Sequence, residues 1–127
     1  MTKTLTFDGH PLTIEDIGAL SRRQAQGRLS ADSVFLARIA AGAAHVTRTL
    51  EEKKVIYGVT TGYGDSVTVP VPTELVPELA HRLFTYHGVG LGPPFSLEES
   101  RAILSVRLQS LVQGFSGVSV SLLRQLE

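Results

Sequence analysis

The fold is decided by residues 30–54, which read SADSVFLARIAAGAAHVTRTLEEKK. The large apolar side chains of this stretch recur every three or four residues, which keeps them on one face of a helix. They are Phe35, Ile39, Ala43, Val46 and Leu50. We expect a helix that begins with Ser30 as its N-cap and ends near Lys53 and Lys54, because cations favour the negative end of the helix dipole.

Four further helices are predicted from N-cap residues that precede apolar side chains at helical spacing. Two of the caps are followed three residues later by an acidic side chain, which is the pattern of a capping box. These pairs are Thr13 with Asp16 and Ser96 with Glu99. Thr73 and Ser119 are the other predicted caps. The chain is therefore expected to be mainly α-helical.

The N-terminus carries the strongest strand pattern. Residues 4–7 alternate polar and apolar side chains and lead into Asp8-Gly9, a pair suited to a tight hairpin turn. We therefore expect an N-terminal β-hairpin. Residues 24–29 are interpreted as a connector between helices.

Residues 55–72 interrupt the helical pattern with a long glycine-rich loop. Glycines, β-branched residues and two prolines replace the helical period there. A loop of this length in a compact domain is usually functional or disordered, and the two tyrosines argue against disorder. We expect a functional, lid-like loop.

Composition limits the class of protein. The 127 residues suit a single domain, and 12 basic against 12 acidic residues leave no net charge to attract nucleic acid or an anionic membrane. With no cysteine, disulfides and cysteine-ligated metals are excluded. No apolar segment resembles a signal peptide or a membrane span, so we expect a cytoplasmic protein.

Common cofactor motifs do not fit the sequence. A phosphate loop needs Lys after its second glycine, where this chain has Tyr63, and a dinucleotide fingerprint needs glycine at the position of Pro93. The four histidines lack the spacing of a zinc site, and no nucleophile elbow is present. We expect no metal.

Tyr57 is the remaining candidate for chemistry, at the start of the glycine-rich loop. A tyrosine hydroxyl keeps its proton at neutral pH, so it acts as a base only where oriented donors or positive charge stabilise the phenolate. Glycines allow the backbone to approach a ligand and a loop to close over it. The alternative is that Tyr57 is an aromatic side chain that anchors the loop.

Three segments together resemble one known family. They are Tyr57-Gly58-Val59-Thr60-Thr61-Gly62-Tyr63-Gly64, His87-Gly88-Val89-Gly90-Leu91-Gly92, and Arg107-Leu108-Gln109-Ser110-Leu111 with Gly114-Phe115-Ser116-Gly117-Val118. Their order and spacing are similar to those of the N-terminal part of the aromatic amino acid ammonia-lyases, which include histidine, phenylalanine and tyrosine ammonia-lyases and aminomutases. The resemblance spans essentially the whole chain but only about the first quarter of a family member.

The resemblance implies roles for individual residues. Tyr57 matches the base that removes the β-proton of the substrate, and its loop matches a lid over the pocket. The lid glycines and tyrosine are Gly58, Gly62, Tyr63 and Gly64. His87 matches a position in the pocket for the aromatic ring, where histidine is typical of enzymes that act on histidine or tyrosine. A second interpretation is that His87 caps a helix C-terminus.

Three positions depart from the family pattern. The family usually has Asn at the position of Thr60, Phe at that of Tyr63 and Asn at that of Gln109. The differences at Thr60 and Tyr63 concern which substrate or reaction applies more than whether the chain belongs to the family. Gln109 keeps the hydrogen-bonding amide but moves it by one methylene. Arg107 is expected to have a structural role.

The family's electrophile has no counterpart in these residues. It is a methylidene-imidazolone (MIO) group made autocatalytically from an internal Ala-Ser-Gly, and no Ala-Ser-Gly occurs here. The only Ser-Gly, Ser116-Gly117, matches a different family segment. No cofactor is therefore encoded in this chain, and we expect the isolated chain to be inactive.

The resemblance implies the N-terminal, partial domain of an enzyme that eliminates ammonia from histidine or tyrosine to give an α,β-unsaturated acid. Its expected partners are the amino acid substrate, the remainder of the lyase polypeptide and further subunits, since the family is tetrameric. The last apolar segment stops in mid-pattern, which favours a fragment of a longer protein. An aromatic amino acid 2,3-aminomutase fragment and a non-catalytic helical association module remain open.

Overall fold

The computed structural model describes residues 2–127 and divides them into two compact units. The first unit comprises residues 2–45 together with Pro94–Glu127. The second unit is Val46–Pro93. Helices are the main secondary structure of the described chain, so the predicted mainly α fold is confirmed.

The first unit contains a two-stranded parallel sheet. Strand β1, Lys3–Phe7, pairs with strand β2, Ala25–Leu29, with Lys3 opposite Ala25 and Phe7 opposite Leu29. Helix α1, Ile14–Ser21, lies between the two strands in the chain, as a parallel connection requires. The alternation along β1 buries Leu5 and Phe7.

The predicted N-terminal β-hairpin is wrong, and so is the interpretation of residues 24–29 as a connector. A turn does form after β1, where Gly9 adopts φ +101° and Asp8 accepts a hydrogen bond from the His10 amide at 2.8 Å. The chain then enters α1 instead of returning, and β1 pairs with the later segment 25–29. That segment has no β-branched residue, so its strand character depends on packing against Phe7 and not on local propensity.

The predicted capping boxes are both confirmed. Thr13 accepts a hydrogen bond from the Asp16 amide at the start of α1, and the Asp16 carboxylate accepts one from the Thr13 amide. Ser96 and Glu99 make the same exchange at the start of helix α4, Leu97–Leu111. These local side-chain bonds satisfy amides that would otherwise lack partners in the first helical turn.

The central helix α2, Ser33–Glu51, is present, but its cap is Asp32 and not Ser30. The Asp32 carboxylate accepts the Phe35 amide at 2.8 Å, and the Ser30 hydroxyl instead accepts the Asp32 amide at 3.1 Å. The negative charge of an aspartate at this position also interacts favourably with the positive end of the helix dipole.

The core of the first unit lies between the sheet and the helices. Helix α5, Val120–Leu126, begins as predicted with the Ser119 hydroxyl accepting the Leu122 amide at 3.1 Å. Each helix and strand of the unit contributes apolar side chains to one cluster. Its buried members are Leu5, Phe7, Leu20, Ala25, Phe35, Ile39, Leu108, Leu111, Val112 and Leu123.

The second unit contains the end of α2, the long loop and helix α3, Val76–His87. The prediction that Thr73 caps α3 is wrong. This residue opens a short 3-10 segment, Thr73–Leu75, and its carbonyl accepts the Val76 amide. Proline at the start of α3 replaces a side-chain cap, since its fixed φ suits the first helical turn.

Helix length and hydropathy bear on membrane insertion. No helix in the part of the chain that the structure describes is both long and apolar enough to cross a bilayer.

Candidate functional site

The long loop of the second unit is closed at its base by backbone pairing. The Gly62 amide donates to the Val69 carbonyl at 3.0 Å, and the Val71 amide donates to the Thr60 carbonyl at 2.9 Å. Thr61 and Pro70 form an antiparallel bridge between these bonds. We call residues 60–62 and 69–71 the neck of the loop. The pairing makes the segment a defined loop with its own hydrogen bonds.

Threonine side chains hold the first turn of the loop against the neck. The Thr60 hydroxyl accepts the Ile56 amide at 2.8 Å, and the buried Thr61 hydroxyl accepts the Gly58 amide at 3.2 Å. Thr61 also donates to the Gly62 carbonyl. These bonds fix the backbone on both sides of Tyr57. Sequence reasoning did not identify this function of the two threonines.

Tyr57 projects from that turn and is tied to the far side of the loop. The Gly64 amide donates a hydrogen bond to the Tyr57 hydroxyl oxygen at 2.9 Å. The tyrosine is nevertheless 61% exposed, so its hydroxyl can be reached from outside the loop. The bond from the Gly64 amide holds the hydroxyl oxygen of Tyr57 in a fixed position.

Two glycines of the loop are each required by a different close contact. Gly58 has φ +68°, and a Cβ there would lie 2.8 Å from the Tyr63 ring, which therefore packs against bare backbone. A Cβ at Gly62 would lie 2.6 Å from the Ser66 carbonyl oxygen. Larger residues at either position would open the loop, because the obstacles are a ring and a main-chain atom.

His87 is the last residue of α3 and is exposed. Its ring meets that of Tyr86 edge to face, with centroids 4.7 Å apart. Within residues 2–127 no hydrogen bond or ring contact joins His87 to Tyr57. A histidine in the last helical turn suits the negative end of the dipole, so its position agrees with either interpretation of this residue.

Gln109 lies in the first unit, on α4, and holds the turn that follows β1. Its side-chain amide donates to the His10 carbonyl at 2.8 Å, and Gln113 one turn later donates to the Gly9 carbonyl at 3.0 Å. The Oε1 atom of Gln109 is buried and lacks a hydrogen-bond partner within residues 2–127. Arg107 is exposed on the same helix. Gln109 thus has a structural function.

Titratable side chains with lowered pKa values lie at turns and helix starts of the first unit. Bonds from the Lys3 ammonium and the Thr13 amide lower the pKa of Asp16, and bonds from the Ser96 hydroxyl and amide lower that of Glu99. The His10 amide lowers the pKa of Asp8 in the same way. Among the described residues, no three acidic or histidine side chains converge as a metal site would require.

Comparison with known proteins identifies the family. The model of the aromatic amino acid lyase family matches residues 12–127. The histidine ammonia-lyase of Streptococcus pyogenes is 36% identical over 126 residues, which are 99% of this chain and 24% of that protein. The histidine ammonia-lyase of Staphylococcus aureus is 37% identical over 124 residues, 98% of this chain and 24% of that protein.

A solved structure gives the same result. The tyrosine aminomutase of Streptomyces globisporus superposes with a TM-score of 0.88 at 32% identity, over 97% of this chain and 23% of that one. The chain spans about a quarter of the length of the curated relatives that it matches. The matched segment contains the loop that carries Tyr57 and the helix that carries His87. The chain therefore belongs to the aromatic amino acid lyase family.

Proposed function

We propose that this chain supplies the general base of an aromatic amino acid ammonia-lyase, with Tyr57 as that base. The observation that carries the proposal is the 2.9 Å hydrogen bond from the Gly64 amide to the Tyr57 hydroxyl. It fixes the hydroxyl oxygen of an exposed tyrosine and aims an N–H donor at it, which is the positioning that a general base requires. The presence of glycines in the loop does not by itself provide such a donor.

The proposed step is removal of the substrate's β-proton. The Tyr57 phenolate oxygen takes the proton, the electrons of the C–H bond form the double bond between Cα and Cβ, and the C–N electron pair leaves with the substrate's ammonium nitrogen as neutral ammonia. The neck keeps Tyr57 and Gly64 in one arrangement, so the N–H donor is in place while the phenolate oxygen carries its charge. The product is an α,β-unsaturated aromatic acid.

The electrophile must come from residues that this chain does not contain. The family makes it from Ala-Ser-Gly, and the 127 residues include no such tripeptide, so the residues present do not fit that group. A general base contributes roughly 10²–10⁴-fold on its own, which is small beside typical enzymatic rate enhancements. We therefore propose that the isolated chain is inactive.

Histidine is the first proposed substrate and tyrosine the second. An imidazole at position 87 can bond to a ring nitrogen or a phenol hydroxyl, whereas a plain phenyl ring would leave the imidazole unpaired. The similarity to two histidine ammonia-lyases supports histidine. The similarity to a tyrosine aminomutase supports the alternative, an aminomutase that returns ammonia to the β-carbon.

Exposed apolar side chains support an assembly larger than this chain. Phe84 in the second unit is 74% exposed, and large apolar residues of α4 and the segments beside it are also exposed in the first. They are Phe95, Ile103, Val106 and Phe115. We propose that the remainder of the lyase polypeptide and further subunits of a tetramer cover them. If these faces instead serve only for association, the chain is a non-catalytic helical module.

A chimera tests the proposed function. Residues 1–127 replace the matching N-terminal quarter of the Streptococcus pyogenes histidine ammonia-lyase, and urocanate formation is followed by ultraviolet absorbance. We expect turnover by the chimera and none by the 127-residue chain alone. A folded, tetrameric chimera without turnover on histidine, tyrosine or phenylalanine would favour the association module. Formation of β-amino acids would identify the aminomutase.

A further inference from the structure

A cavity in the second unit lies beside the neck and is not used by the proposed reaction. Its volume is about 390 Å³, at the lower end of the range for small-ligand pockets. Apolar side chains from the end of α2, the neck and the start of α3 form most of its wall. They are Leu50, Val55, Pro70, Val71, Val76 and Pro77. We call this space the neck cavity.

Two lysines give the apolar neck cavity a positive rim. Lys53 and Lys54 both line it, and Lys54 is already paired with Glu52 at 2.6 Å. Within the described chain, no hydrogen bond or ion pair engages the side chain of Lys53. Lys53 is therefore the cation available to a ligand there.

The backbone at Lys53 is fixed by the end of α2. Its φ is +52°, in the left-handed region where glycine is the usual residue at a helix end. The amides of Lys53 and Lys54 bond back to the Leu50 and Thr49 carbonyls, so the conformation is fixed by the end of α2. The place of Lys53 beside the cavity is therefore set by the hydrogen bonds that end α2.

Acidic residues near the cavity do not neutralise Lys53. Glu78, in the first turn of α3, is bound by Arg82 at 2.7 Å. Glu74 follows the cavity residue Thr73 in the chain but does not line the cavity itself. Of the two charged residues that line the cavity, Lys53 is thus the one without an ion pair in the described part of the chain.

We propose that the neck cavity binds a small monocarboxylate with an apolar body of one ring, whose carboxylate pairs with Lys53. The apolar wall accepts the ring, and the ammonium accepts the charge. Thr60 and Val71 belong to both the cavity and the neck, so the bound acid stabilises the base of the loop. This site is separate from the proposed catalytic role of Tyr57.

The test is an NMR titration of the 127-residue chain with cyclohexylacetate, with 2-cyclohexylethanol as its neutral counterpart. The ring of this probe is saturated, so the probe is not an analogue of an aromatic substrate. We expect amide shifts at the cavity residues, slower exchange of the Val71 amide, and binding of the acid about fivefold tighter than that of the alcohol. Lys53→Gln removes this preference, whereas Lys54→Gln keeps most of it.

Three outcomes would overturn the proposal. They are equal affinity for acid and alcohol, equal losses in the two lysine variants, and shifts of the same amides on dilution without ligand, which would show a second copy in the cavity. Tyr57→Phe should leave the titration unchanged. A failed titration therefore does not bear on the catalytic base, and an inactive chimera does not bear on the cavity.

Discussion

Gln109 on α4 donates its side-chain amide to the main-chain carbonyl of His10 at 2.8 Å, a bond between residues 99 positions apart. The resemblance to the family implies the shorter asparagine at this position. The extra methylene of Gln109 allows the amide to reach the turn after β1, and it leaves Oε1 buried without a partner among residues 2–127. The departure from the family pattern is thus compensated by a specific contact.

Replacing Gln109 by Asn should lower the free energy of unfolding by about 1 kcal/mol, because the shortened amide loses the His10 carbonyl. Urea denaturation measures the change, and Ser110→Ala on the exposed side of α4 is the control. A Gln109→Asn chain as stable as the parent would show that the bond to His10 does not contribute.

Gly27 on β2 lies against the ring of Phe7, which is only 2% exposed. A Cβ at position 27 would lie 2.7 Å from Phe7 Cε2, so Gly27→Ala should destabilise the chain by about 1–3 kcal/mol. Gly90→Ala is the control, since nothing lies within 4 Å of its Cβ position. Adding Phe7→Leu should recover part of the loss in a double-mutant cycle, and strict additivity would argue against the clash.

Acid should destabilise the first unit through its capping carboxylates. The folded pKa values of Asp16 and Glu99 lie below their ordinary values of 3.8 and 4.5 because hydrogen bonds stabilise the charged forms. Their contribution is therefore present above these ordinary values and is lost as the pH falls through the folded ones. We expect the free energy of unfolding to decrease in that range.

The variant Asp16→Asn isolates one of these groups. It should flatten the dependence of stability on pH below about 3.8, because the carboxylate bound by Lys3 is gone. Glu15→Gln, in the same helical turn, is the matched control. Equal slopes for the Asp16 variant and the parent, in denaturation curves collected across this range, would contradict the assignment.

His87→Phe in the chimera should shift preference from histidine toward phenylalanine. The substitution removes the imidazole, which can hydrogen-bond a polar substrate ring, and puts an apolar phenyl ring in its place. We expect the relative transition-state binding of the two substrates to change by about 1–3 kcal/mol. The ratio of kcat/KM for the two substrates measures it. His81→Phe, at another exposed position on α3, should leave the ratio unchanged, and an equal shift in both variants would reject the pocket role.

Local signals in the sequence were sufficient for much of the fold. Thr13 and Ser96 were predicted as caps because a capping box involves residues only three positions apart. The pairing of β1 with residues 25–29 is not predictable from local patterns, because a parallel partner strand follows a crossover connection. The glycine in that segment, Gly27, is explained only by its close contact with the Phe7 ring. Asp32, not Ser30, caps α2 because the two compete within the same turn.

The candidate site was predictable in residue type but not in geometry. The motif identified Tyr57 and the glycines around it, whereas the donor to its hydroxyl is a main-chain amide that any residue except proline carries. The direction of this amide depends on the positive φ of Gly64 and on the neck, which joins residues seven to eleven positions apart. Such main-chain geometry leaves no distinct pattern in the sequence.

The turnover number of the chimera that carries Tyr57→Phe, beside that of the matched variant Tyr63→Phe, decides whether Tyr57 is the base. We expect Tyr57→Phe to lower kcat by at least about 10²-fold while the tetramer still forms. Tyr63→Phe, which introduces the family's usual residue, should keep activity. An undiminished kcat in the Tyr57→Phe chimera would show that Tyr57 is not the base.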